Sequence, residues 1–130
     1  MEGFLNAGIY FIGASVVVLI AVFIFDLLTR YKVWEEINRG NMAVSFATGG
    51  IALGVSNIMR YAISANDSLM TTVLWGGIGT AALLIVYFAF EILTPKLNVS
   101  EQIGKGNQAV GFISFIFSLA FSFIIGASIS

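Results

Sequence analysis

The sequence predicts an all-α membrane protein: four transmembrane helices built as two parallel helical-hairpin repeats, with a short interfacial helix in each cytoplasmic loop. Three observations carry this. A chain of 130 residues that is 58% hydrophobic and 10% charged cannot hide so much apolar surface in one small soluble core, so lipid must cover it. The few charges gather in two loops, near Arg60 and Asp67, and at the extreme N-terminus. The apolar runs between them are long enough for spanning helices of about 20 residues. Finally, the stretch 26–44 returns in altered form at 91–110. Glu91-Ile92-Leu93-Thr94 answers Asp26-Leu27-Leu28-Thr29. Ile103, Lys105-Gly106-Asn107 and Ala109-Val110 answer Ile37, Arg39-Gly40-Asn41 and Ala43-Val44, with one residue inserted between. Each copy joins two long apolar segments, so residues 1–130 read as a single integral-membrane domain, with repeat 1 over 1–66 and repeat 2 over 67–130.

In chain order, Met1 and Glu2 precede the first apolar segment without a basic n-region, so a retained first span is expected rather than a cleaved signal peptide. Residues 4–25 cover roughly 33 Å as a helix, enough for the hydrocarbon core. Asp26 stands at the far edge. Residues 29–41 carry Arg30, Lys32, Glu35, Glu36 and Arg39, and Val33, Trp34 and Ile37 share one side at helical spacing. A short helix lying in the interface fits, with Trp34 at headgroup depth. Asn41, after Gly40, is expected to cap a second span over 42–62, because an unpaired amide in lipid is costly.

A polar turn over 64–68 leads to a third span over 69–90, with Tyr61 and Trp75 at the outer interface. Thr94-Pro95 closes it, since proline donates no amide hydrogen and disfavours helix in the residue before it. Asn98-Val99-Ser100-Glu101 reads as the capped start of the second interfacial helix, and Asn107 as the cap of a fourth span over 108–128. Arg30, Lys32, Arg39, Lys96 and Lys105 all lie in the two repeated loops, and among the basic residues only Arg60 lies elsewhere. Both loops are therefore expected in the cytoplasm and both termini outside. The two hairpins then share one orientation, about an axis along the membrane normal.

Aligning Asn41 with Asn107 sets Ser45, Thr48, Ala52, Ser56 and Arg60 opposite Gly111, Ser114, Ser118, Ser122 and Gly126. Each set falls on one helix face at spacings of three or four, so both stripes are expected to face protein. One reading is a packing seam, in which small side chains let backbones approach. The other is a narrow hydrated path walled by hydroxyls. Asp26 and Glu91 occupy equivalent inner helix ends, where a carboxylate opposes the negative end of the helix dipole. They read either as acids paired with loop cations or as an inner-mouth relay. Arg60 reads as a side chain snorkelling to the outer headgroups, or as a charge turned inward along the Ser56 face.

The chain contains no cysteine and no histidine. Thiol nucleophiles, imidazole bases and the commonest transition-metal ligands are therefore missing, and no enzyme activity, metal or cofactor is expected. A net charge of −1 argues against nucleic-acid binding. No ionisable residue lies near mid-membrane in any span, which weakens a transporter reading.

The four spans, the acids at the inner ends of the odd-numbered spans and the duplicated Gly-Asn-x-Ala-Val motif (residues 40–44 and 106–110) resemble the YjfL-like family, domain of unknown function 350. The resemblance covers nearly the whole chain. It implies a small bacterial or archaeal inner-membrane protein and no established substrate. The expectation is a homo-oligomeric scaffold or accessory subunit that engages a cytoplasmic or membrane protein partner through Trp34, Glu35 and Glu36 in one loop and Val99, Glu101 and Gln102 in the other. The alternative is an ion or small-solute conduit along the stripes, with Asp26 and Glu91 at its inner mouth.

Overall fold

Four long helices take up the apolar runs, and two single-turn helices occupy the loops between them. The computed structural model describes residues 2–130, and Met1 lies outside the described residues. The elements are α1 (Glu2–Leu28), α2 (Val33–Asn38), α3 (Met42–Ala65), α4 (Leu69–Leu93), α5 (Val99–Gly104) and α6 (Gln108–Ile129). Helices α1, α3, α4 and α6 are each long and apolar enough to cross a membrane.

The long helices overrun the apolar runs by a few residues, because hydrogen bonding and not hydropathy sets where they stop. At the end of α1 the Thr29 amide still donates to Phe25 O at 3.0 Å. At the end of α4 the Thr94 amide and hydroxyl both donate to Phe90 O, at 3.1 and 2.7 Å, before Pro95 removes the next donor. Helices α3 and α6 begin where a side-chain acceptor is available: Asn41 Oδ1 accepts from the Val44 amide at 3.2 Å, and Asn107 Oδ1 from the Val110 amide at 3.3 Å. The preceding glycines are left-handed, Gly40 at φ 87° and Gly106 at φ 91°, where a β-carbon would be strained.

The same bonds recur around each junction. Asn41 Nδ2 donates to Glu36 Oε1 at 3.1 Å, and Asn107 Nδ2 to Gln102 Oε1 at 2.9 Å. One expected cap differs. Asn98 precedes α5 in the left-handed region, φ 55°, and makes no side-chain cap; its Nδ2 donates instead to the Glu101 carboxylate. A charged acceptor one turn away outcompetes the neutral arrangement.

Helix α3 packs against α1, α4 and α6, and most extensively against α6. The α3–α6 contacts climb together, from Ala43 with Gly111, through Gly54 with Ser118, to Tyr61 with Gly126, so these helices run parallel. Gly13 of α1 lies beside Leu69, and Phe25 stacks edge-on against Tyr87 at 5.1 Å, so α1 and α4 also run parallel. Both short helices thus sit at one end of the bundle, the loop end. The described termini sit at the other. Val33, Val99 and Ile103 are essentially fully buried there. Each anchors its short helix with about 1.5–3 kcal/mol of apolar burial.

Candidate functional site

The α6 stripe lies in the protein interior: Gly111, Ser114, Ser118, Ser122 and Gly126 are all buried. The α3 stripe does not match it. Thr48 is buried and Ser45 and Ala52 are half-buried, but Ser56, expected to face protein, is exposed, and Arg60 is exposed rather than turned inward along the Ser56 face. Helix α3 instead meets α6 through Ala43, Gly50, Gly54, Asn57 and Tyr61. The reason is size. A β-carbon on Gly50 would lie 2.8 Å from Phe115 Cα, and one on Gly111 would lie 2.5 Å from Ala43 O, so the backbones approach where glycine permits. Polarity alone does not select that face. Ser56 bonds back to Ala52 O at 2.8 Å, a common way for a hydroxyl to satisfy itself on a lipid-facing surface.

Three buried hydroxyls, Thr48 of α3 and Ser114 and Ser118 of α6, have no hydrogen-bond partner among the described residues, and Thr48 lies off the face of α3 that meets α6. Thr48 and Ser114 are repeat-equivalent. A void of about 10 Å³ between α4 and α6, lined by Tyr87, Ser114 and Ser118 among phenylalanine and aliphatic walls, is about the size of one water. Ser122 is satisfied: it donates to Leu119 O at 2.6 Å and accepts from Asn57 Nδ2 at 3.0 Å.

At the loop end each acid ties its long helix to the start of the short helix that follows. Asp26 Oδ1 accepts the Val33 amide at 3.1 Å, satisfying the first free donor of α2. Glu91, one methylene longer, accepts from the Ser100 hydroxyl in α5. Neither acid forms an ion pair among the described residues; Arg30, the cation expected for Asp26, and Lys96 and Lys105, those expected for Glu91, do not bind them. The fixed amide and hydroxyl are better placed than long, solvated cations. Arg30 instead borders two recesses, of about 370 Å³ beside Glu91 and Pro95 and about 320 Å³ beside Tyr31 and Ser100.

Tyr31 was not visible as a site residue from its place in a charged loop. It turns inward beside Tyr87 and Glu91, its hydroxyl buried without a hydrogen bond of normal geometry, and burial above all pushes its pKa up. The proposed contact residues divide. Trp34, Glu35 and Glu101 are exposed, whereas Val99 is buried as the apolar anchor of α5 and so is no contact residue, Gln102 is half-buried, and Glu36 is half-buried and holds Arg39 Nη1 at 3.1 Å as well as Asn41. Glu35 lies 3.9 Å from Lys32 Nζ, and Glu101 lies 2.8 Å from Lys105 Nζ, which holds the Glu101 carboxyl below the usual carboxylate range. Asn41 does more than cap. Its Nδ2 also reaches the Ile103 and Gly104 carbonyls, both at 3.1 Å, and so joins the second span to the second loop.

These groups hold helices together; no cluster of three or more acids, histidines or cysteines suited to a metal occurs among the described residues. The comparisons with known proteins agree with the architecture and add no activity. A family model described as Domain of Unknown Function (DUF350) matches residues 1–129. The chain is 44% identical over 120 residues to the UPF0719 transmembrane protein YshE of Bacillus subtilis (strain 168), covering 92% of this chain and 90% of that one. It is 25% identical over 134 residues to a UPF0719 transmembrane protein of Aquifex aeolicus (strain VF5), covering 99% of this chain but 50% of that longer relative. No solved structure matches. With its whole length matched by the family model and four helices fit to span a bilayer, the chain is an integral membrane protein that belongs to the DUF350 family.

Proposed function

We propose that the protein is a non-enzymatic membrane scaffold or accessory subunit, self-associating in a bacterial cell membrane and docking a protein partner at its loop end. The loops face the cytoplasm and the termini face outside, in keeping with the basic residues of the loops. The reading rests on the closure of the α3–α6 seam. Glycine against backbone at Gly50 and Gly111 leaves no room for a water file, while Trp34, Glu35 and Glu101 are exposed at the loop end. Both relatives carry names that describe transmembrane proteins without an activity. The test is crosslinking in native membranes with Trp34→Ala and Glu35→Lys, exposed positions that leave the Glu36–Asn41 contact intact. Loss of a specific crosslinked partner supports docking there. An unchanged crosslinking pattern in both variants refutes it.

A conduit along α3 and α6 is the second reading. Its support is the pair of unpartnered hydroxyls of Ser114 and Ser118 on α6 and the small void beside them, on the side of α6 that faces α4. A Ser118→Cys variant separates the two readings, because the natural chain has no cysteine. Labelling by a membrane-impermeant thiol reagent, with proton or ion flux in liposomes, favours the conduit. Protection and no flux above empty vesicles favour the scaffold.

A further inference from the structure

The exposed arginine of α3 sits in a place too organised for a side chain that merely reaches for water. Arg60 Nε donates to Asn57 Oδ1 at 3.2 Å, and its guanidinium lies 4.4 Å from the centre of the Tyr61 ring. Asn57 is itself held across the seam by Ser122, which is anchored on Leu119 O. The Tyr61 ring occupies the space left by Gly126, the residue of α6 equivalent to Arg60. The missing side chain at Gly126 thus leaves room for the ring over which the Arg60 guanidinium lies. Among the described residues its two terminal amino groups bond to nothing, and Arg60 has no carboxylate partner.

That guanidinium borders a groove of about 600 Å³ between α1 and α3, lined mainly by apolar side chains including Ala14, Val18, Leu19 and Met59, with Tyr10 also in its wall. Along α3 the groove runs from Ser56 to Ser64, roughly 12 Å. Arg60 stands midway, about 7.5 Å inside the helix end at Ala65, a depth suited to a headgroup phosphate above an acyl chain. We propose that this groove binds one anionic phospholipid of the leaflet at the terminal end, its phosphate on Arg60 and an acyl chain against Val18 and Leu19. A guanidinium fork matches phosphate oxygens in a bidentate way, and an apolar groove leading away from it along the membrane normal matches a lipid tail.

A second copy of the chain suits the groove less well. The carboxylates at this end are Glu2, the first residue of α1, and Asp67, beyond the end of α3. In a neighbour of the same orientation, Asp67 would stand roughly 10 Å shallower than Arg60.

The test uses the full chain, reconstituted in phosphatidylcholine vesicles doped with phosphatidylglycerol, re-extracted in mild detergent and weighed with its retained lipid by native mass spectrometry. The natural chain is expected to retain one phosphatidylglycerol. Arg60→Gln is expected to lower that retention by about tenfold or more, the loss of a charge-assisted pair. Leu19→Trp, which narrows the groove and leaves Arg60 in place, should lower it too. Diacylglycerol, with the same tails and no phosphate, should not be retained. Unchanged retention by Arg60→Gln overturns the proposal, as does equal retention of diacylglycerol. Retention lost in Arg60→Gln but kept in Leu19→Trp overturns the groove. A protein dimer lost in Arg60→Gln with lipid retention unchanged means that a second copy covers this face, and overturns it as well. Unchanged thermal unfolding of both variants shows that the fold is intact.

Discussion

Replacing Gly111 by alanine adds one carbon at the tightest backbone-to-backbone approach of the α3–α6 seam. That carbon would lie 2.5 Å from Ala43 O, 2.6 Å from Ala43 Cα and 2.9 Å from Ala43 C, all backbone atoms that no rotamer change can move. Ordinary carbon contacts lie at about 3.5–4.0 Å, so the start of α6 must retreat by about 1 Å. A gap of that size forfeits a quarter to a half of the attraction of every contact across it. Overpacking of this kind costs about 1–3 kcal/mol, and the better helix propensity of alanine returns at most about 1 kcal/mol. The expected net loss is about 1–2 kcal/mol, roughly tenfold or more in the unfolding equilibrium. Gly49→Ala is the matched control, since nothing lies within 4 Å of its added carbon. It should be neutral or stabilising. Both are measured by denaturant unfolding of the purified protein in micelles, followed by far-ultraviolet circular dichroism. If Gly111→Ala is as stable as the natural chain, or Gly49→Ala loses as much, the seam is not packed through glycine.

The two caps should differ in weight: Asn107→Ala removes a cap and one bond to Gln102, about 1 kcal/mol, whereas Asn41→Ala also frees the Ile103 and Gly104 carbonyls and should cost about twice that in the same unfolding assay. Asp26→Ala leaves the buried Val33 amide unpaired at a cost of about 1–3 kcal/mol, and its hydrogen exchange should accelerate, whereas Asp26→Asn keeps an acceptor and most of the protection. The Glu101 carboxyl is held low by Lys105, so its contribution to α5 is present above the ordinary carboxylate pKa and fades as pH falls through the lower, folded value. Amide exchange in α5 should rise on acidification, and Glu101→Gln should remove that part of the pH dependence. Paired cysteines at Asn57 and Ser122, whose side chains meet at 3.0 Å, should form a disulfide on mild oxidation. A pair at Ala52 and Ser118 should not; the reverse outcome would place α6 on the stripe and not on the glycines.

Much of the loop-end architecture was legible because its causes are local. The two Gly-Asn junctions announce a left-handed residue followed by a cap, and Gly40, Asn41, Gly106 and Asn107 serve in those roles. Asn98 looked alike on paper and is not a cap, because the Glu101 carboxylate one turn on takes its side chain. Tyr31 was hidden for a related reason: nothing in the run Arg30-Tyr31-Lys32 says that one side chain of three turns inward. Ser100, which receives the role of binding Glu91, stands where the first repeat has Trp34, so the duplication itself pointed away from it.

The sequence by itself determined the number of membrane helices, their starts and the chain's membership of a membrane class, since hydropathy, caps and turn residues act within a few positions. Tertiary structure alone decided which face of α3 meets α6, why Ser56 and Arg60 look outward, and that Asn41 bridges the two repeats. In water a helix declares its buried face by being apolar. In lipid, both the protein interior and its surroundings are apolar, so that contrast is absent. What remains is how closely two backbones can approach, which depends on glycines such as Gly50 and Gly111 meeting residues far away in the chain.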